Sequence, residues 1–154
     1  TNLAAAIARV KSSGAAPPPY FLQGLFDAAT DEFLAWSFRM PQDYASAPAV
    51  KLQFKMASAT SGNVIFAARL SAVTTGDAVD VDAKAYGTVN TSAGVAVGGT
   101  AGYMVETSLS LTNADSVAAN DFVVLQVQRT GSSGSDTATG DLELVGVSLE
   151  YTTT

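Results

Sequence analysis

The side chains that most often carry acid–base and metal chemistry are missing, because the 154 residues include no histidine and no cysteine. Without imidazole or thiolate, Ser-His-Asp and Cys-His nucleophiles and zinc sites of the usual ligand types are excluded. Carboxylates remain. Asp77, Asp80 and Asp82 are close in sequence, but their spacing departs from a D-x-D-x-D-G calcium loop and no glutamate follows at the required interval. A solvated strand edge guarded by charge explains them better. Asp136 and Asp141, flanking a threonine-rich turn, carry the same weak signal. Glu32, Glu106, Glu143 and Glu150 fall at strand ends or on polar positions, not as the paired acids that glycoside hydrolysis needs across a cleft. Gly94 to Gly102 (GVAVGGTAG) lacks the Lys-Ser or Lys-Thr of a phosphate cradle. No catalytic residue, metal or cofactor is expected. Among the aromatics, Trp36 shares the apolar phase of Leu34 and Phe38 and is expected in the core. Tyr20, Tyr44 and Tyr86 lie nearer loops, where an exposed ring would suit a sugar.

Composition narrows the partners. Eight basic against fourteen acidic side chains give a net charge of -6, which repels a phosphate backbone and anionic lipid heads alike. Neither nucleic acid nor membrane is an expected partner. Hydrophobic residues make up 47% and charged ones only 14%, too apolar for disorder and poor in charge for a fully wetted surface. Neighbouring chains are therefore expected to cover part of it. The first residues lack the basic stretch and sustained apolar core of a secretion signal.

The elements that must position any site have period two. Leu34, Trp36, Phe38 and Met40 share one parity. Val50, Leu52, Phe54 and Met56 alternate with Lys51, Gln53 and Lys55 in the clearest one-face-in strand of the chain. Ser61-Gly62-Asn63 connects into a strand over Val64 to Val73, and Asp77 to Tyr86 reads as an exposed edge strand. Thr88 to Gly102 reads as a long loop broken by a small strand at Val95 to Val97. Further strands follow at Tyr103 to Leu111 and Phe122 to Arg129. Thr130 to Gly140 is expected as a mobile polar loop. The last strand, Asp141 to Tyr151, changes parity between Leu144 and Val147, which a bulge at Gly146 would absorb. The pattern predicts one all-β domain, an antiparallel jelly-roll-like sandwich or barrel of about eight strands over residues 20–154.

Residues 1–19 read as an N-terminal arm. Leu3, Ile7 and Val10 at i, i+4 and i+7 predict a short helix over Asn2 to Lys11, and SSGAAPPP from Ser12 to Pro19 predicts an extended spacer. So short a helix must dock on its own domain or on a partner, or stay mobile.

PQDY at Pro41 to Tyr44, the following VKLQFKM, SGNVIF at Ser61 to Phe66 and the closing RTGSSGSDTATGDLELVGVSLEY from Arg129 to Tyr151 together resemble β-barrel virion proteins of tailed bacteriophages. The resemblance is greatest to trimeric head decoration proteins, also called auxiliary or cement proteins, and covers the chain after about residue 20. It implies a structural virion protein, not an enzyme, that binds the outer capsid surface as a homotrimer. There it would clamp neighbouring major capsid protein subunits, its arms reaching across subunit boundaries. Leu3, Ile7 and Val10 are the expected partner-binding residues of the arm, by position alone. The competing expectation is a carbohydrate- or receptor-binding sandwich module of a phage tail or fibre.

Overall fold

The computed structural model of the chain describes residues 3–11, 14, 16 and 20–154, with only the backbone described at Leu3 and Lys11. In chain order the strands are β1 (Leu3–Ala4), β2 (Ala6–Lys11), β3 (Tyr20–Phe26), β4 (Asp31–Arg39), β5 (Tyr44–Met56), β6 (Asn63–Val64), β7 (Phe66–Val73), β8 (Asn90–Thr91), β9 (Val95–Ala96), β10 (Val105–Ser110), β11 (Phe122–Thr130) and β12 (Leu142–Thr153). No helix occurs among the described residues.

One sheet has the order β1-β4-β11-β7-β8 and the other β10-β5-β12-β3-β2, while β6 and β9 form a small separate pair. All pairings are antiparallel except that of β1 with β4. The two sheets stay separate, so the chain is an open sandwich and not the closed barrel also allowed by its sequence.

The core lies where the inner faces meet. Val50, Leu52 and Phe54 of β5 have no exposed surface, and Leu142 and Leu144 of β12 lie beside them. Phe66, Leu70, Val123, Leu125 and Val127 come from the opposite sheet into the same cluster. The rings of Phe54 and Phe66 meet edge-on at 5.2 Å and bridge the two layers. Each large side chain so covered contributes about 1.5–3 kcal/mol.

The alternation expected in β5 is present, and so is the bulge in β12: the register against β5 shifts between Leu144 and Gly146. Three expectations are overturned. The segment expected to be helical is extended, since β1 pairs with β4 and β2 pairs with β3 over Ala6–Lys11. Hydrogen bonds to a neighbouring strand outweigh the helix propensity of an alanine-rich run too short to hold a helix alone. The spacer expected over residues 12–19 falls outside the described residues apart from Gly14 and Ala16.

Residues 77–86 are not an edge strand. The Asp80 side chain accepts from the Asp82 amide at 3.1 Å and its carbonyl accepts from Ala83 at 3.1 Å, so the backbone folds into a local turn. Nor is the loop at 130–140 loosely held. The Arg129 guanidinium, with no exposed surface, grips Asp136 at 2.8 and 3.1 Å and the Gly140 and Ala138 carbonyls at 2.8 Å each.

Candidate functional site

The two sheets do not close along one side. On β4, Leu34, Trp36 and Phe38 point toward the core side, as their shared parity requires, yet Trp36 is 37% exposed and Leu34 and Phe38 are only half-buried. Opposite them Val147, Leu149 and Tyr151 of β12 also point inward and are half-buried. Their parity follows from the bulge at Gly146, without which these three side chains would turn to the outer face.

The reason for the gap is where strands end. β1 covers the free edge of β4 only at Glu32 and Phe33, and β3 covers β12 only at Leu142, Glu143 and Leu144. Among the described residues, β4 from Leu34 to Arg39 and β12 from Gly146 onward therefore each have one edge without a paired strand. An apolar trough lies between two open sheet edges.

The main part of this seam is a cleft of about 410 Å³ lined by Trp36, Phe38, Arg39, Leu125, Leu149 and Tyr151. A smaller recess of about 180 Å³ continues it past Trp36 and Val147 to Ile7, Leu22 and Gln23. Gln23 is 5% exposed; its amide donates to Glu143 at 2.9 Å, while its Oε1 has no partner among the described residues. At the other end the Tyr151 hydroxyl donates to Asp43 at 3.0 Å, and its ring lies 5.7 Å from that of Tyr44. Partial loss of water, together with the hydrogen bond to Asp43 and that group's charge, pushes the Tyr151 phenol above its ordinary pKa of 10.0.

Arg39 is the one ionisable group besides Tyr151 that lines the main cleft, and its Nε donates to the Asn120 carbonyl at 3.3 Å. The lining has no carboxylate pair, so the seam is built to cover apolar side chains and to pair with main-chain amides and carbonyls. Its apolar walls and open edges suit an extended polypeptide.

Other polar clusters are internally satisfied. A groove of about 590 Å³ near β8 and β10 has Asn90 at its base. That amide donates to Asn113 at 2.9 Å and Ala68 at 3.4 Å, and its Oδ1 accepts from the Asn113 amide at 2.9 Å and the Thr112 hydroxyl at 3.3 Å. On the outer face of the second sheet, Lys51 pairs with Glu106 at 3.5 Å and Glu150 at 2.7 Å, while Lys55 pairs with Glu143. Asp77 and Asp80 spend carboxylate oxygens on the Thr74 and Asp82 amides of their own turns, and Asp136 is committed to Arg129. No group of three metal-ligating side chains is present among the described residues.

Of the residues expected to bind a partner, Ile7 is 59% exposed at the mouth of the recess, Val10 is half-buried, and the backbone of Leu3 pairs with Glu32. Trp36, expected in the core, stands at the open seam, because among the described residues its strand has no neighbour on that side at that point. Tyr44, expected near the surface, is 8% exposed, whereas Tyr20 is 55% exposed. The parities of β4 and β12 were the signal for the seam walls; the missing cover strand left no trace in either.

Neither a family model nor a curated protein sequence matches the chain. Among solved structures it is similar to an arabinose-bound GH51 α-L-arabinofuranosidase, at 14% identity and a TM-score of 0.50 over 94% of this chain and 22% of that one. The chain thus spans about a fifth of the arabinofuranosidase. It is also similar to a family 16 carbohydrate-binding module, at 9% identity and a TM-score of 0.44 over 95% of this chain and 86% of the module. At such identities the arabinofuranosidase likeness is one of fold, the all-β sandwich described above.

Proposed function

We propose that the chain is a structural, non-catalytic module that joins an assembly by accepting an extended segment of another polypeptide in its open seam. One observation carries this reading: two strand edges that no described residue pairs flank a trough of half-buried apolar side chains. Edges of this kind are normally blunted by charge, proline or cover, because they template pairing with another chain. An incoming strand would satisfy the edge amides and carbonyls, while alternate side chains would enter the trough against Trp36, Phe38 and Leu149. The resemblance to phage head decoration proteins gives the reading a setting, the outer capsid surface, with a homotrimer and the major capsid protein as partners.

Panning a displayed library of random peptides against the protein tests it. Peptides with alternating apolar residues are expected to be enriched, to shift the emission of Trp36 to the blue, and to lose affinity on Leu149→Arg. Enrichment indifferent to that substitution would overturn the proposal. A second reading, binding of a sugar ring, rests on the exposed face of Trp36 beside Tyr151. It requires glycan-array binding that disappears with Trp36→Ala.

A further inference from the structure

The same chain carries an element with the form of a donor for this seam. Residues 20–23 of β3 pair with β2 alone, because β12 leaves β3 after Leu144 at the bulge. A two-stranded ribbon is marginally stable in water without cover. This one is apolar on both faces. In register, Ile7 faces Gly24 and Arg9 faces Leu22 on one side, and Val10 faces Phe21 on the other. Ile7 is 59% exposed, Tyr20 55%, Leu22 63% and Phe21 41%. Such a concentration of exposed large side chains marks an interaction surface and not scattered surface residues.

Charge divides the same way. Residues 1–26 include two basic side chains, Arg9 and Lys11, and no acidic one, leaving six basic against fourteen acidic side chains in residues 27–154. The ribbon thus carries +2 and the body -8. The Arg9 guanidinium lies over the Tyr20 ring at 5.3 Å and stays on the exposed ribbon, free of any carboxylate among the described ion pairs. Each copy therefore presents a basic apolar ribbon and an apolar seam, matched in hydrophobicity; the seam lining itself carries the cation Arg39, and the charge opposite to the ribbon's is that of the body as a whole, which draws the two copies together at long range.

We infer that the occupant of the seam is the β2–β3 ribbon of a second copy of this chain. The inference rests on the strand-accepting reading above and names its partner. The contact is heterologous, since the ribbon shares no residue with the main cleft and meets the seam of its own copy only at the small recess; repeated from copy to copy, it closes a ring or extends a filament. The open edge of β3 at residues 20–23 supplies main-chain groups to pair with an edge of the seam, and Leu22 and Ile7 supply apolar side chains to its trough. Both side chains are exposed, so replacing them leaves the core of the donor intact.

Complementation between two variants tests this, with Trp36 as the reporter because it is the only tryptophan and lines the seam. The ribbon variant is I7E/L22E, which alters the small recess but keeps the main cleft, where neither residue lies, and its Trp36. The seam variant is Trp36→Arg, which keeps its ribbon and contributes no tryptophan signal. Wild-type protein is expected at least to double its mass in sedimentation as concentration rises, with a blue shift of emission. Each variant alone stays a monomer, and adding the seam variant to the ribbon variant restores the blue shift. A monomeric wild type with constant emission, or a mixture without the shift, would overturn the inference. If displayed peptides still bind the seam in that case, the strand-accepting function stands and only the choice of partner fails; circular dichroism of each variant confirms that it retains its sheets.

Discussion

Arg129 and Asp136 show how a polar pair can be buried at one end of an apolar sandwich. Both lie wholly out of water, and the guanidinium is held by the carboxylate and by two carbonyls. The Asp136 Oδ2 also accepts from the Ile65 amide at 3.0 Å, so one ion pair ties the 130–140 loop to the end of β11 and the start of β7. Asp136→Asn would leave the cation buried without its counter-charge and is expected to cost about 3–5 kcal/mol in urea unfolding. A loss of less than about 1 kcal/mol, typical of a solvated pair, would contradict the burial. Asp27 acts at the surface. Its Oδ1 accepts from the Ala29 amide at 2.6 Å and the Thr30 amide at 3.0 Å, fixing the turn from β3 to β4. The Ala29 amide, more than any other group, holds the Asp27 carboxyl below its ordinary pKa of 3.8. The folded state thus binds this proton less readily than the unfolded chain, so the contribution is complete above 3.8 and fades as pH falls through the lower folded value. Asp27→Asn is therefore expected to lower the thermal midpoint near neutral pH, with the difference from wild type vanishing in acid.

Strand ends and turns carry the next level of constraint, and two glycines separate backbone demands from side-chain demands. Gly62 has a φ of +94°, and a Cβ there would lie 2.9 Å from the Ala138 backbone, where nothing yields cheaply. Gly62→Ala is expected to destabilise by about 1–3 kcal/mol. At the bulge, a Cβ on Gly146 would lie 2.6 Å from the Gln53 Oε1, the far end of a flexible side chain. Gly146→Ala should cost less than Gly62→Ala, and equal losses in denaturant unfolding would show that the bulge itself needs glycine. This element was legible in the sequence because Leu142 and Leu144 stand on one parity and Val147, Leu149 and Tyr151 on the other. β5 was legible for a similar reason, with lysines and a glutamine facing out between fully buried neighbours. The N-terminal strands were not, because Leu3, Ile7 and Val10 fit a helical spacing and the pairing that decides their conformation comes from β4 and β3, outside the window. Residues 77–86 failed in the opposite sense. Their alternation suits a strand, but the Asp80 side chain and carbonyl capture the Asp82 and Ala83 amides in a local turn. The order at 130–140 depends on Arg129, whose parity with Val123, Leu125 and Val127 turns it inward, while its acceptors Asp136, Ala138 and Gly140 follow from the path of the loop and not from any pattern in the sequence.

At the scale of the whole molecule, the sandwich could be read from period-two patterning, but the seam could not. Trp36 has the parity of a core residue and would be one if a further strand lay beside β4; its exposure is set by where β1 and β3 stop pairing. That incompleteness fits a chain whose charged residues are few and unevenly divided, with the basic excess confined to the segment before Asp27. If ribbon and body attract one another between copies, their attraction must respond to salt in a definite way. Charges on exposed surfaces are screened over about 8–10 Å near physiological ionic strength and over about 3 Å at 1 M, whereas apolar burial is not weakened by the same change. Association of the wild-type protein is therefore expected to fall several-fold between low and high sodium chloride without disappearing, as read by sedimentation velocity. Arg9→Gln should flatten that response while leaving the high-salt association nearly unchanged, because it removes charge from the ribbon and spares Ile7 and Leu22. Association that strengthens steadily with salt in the wild type would mean that apolar contact alone drives it and that the division of charge has no part in choosing the partner.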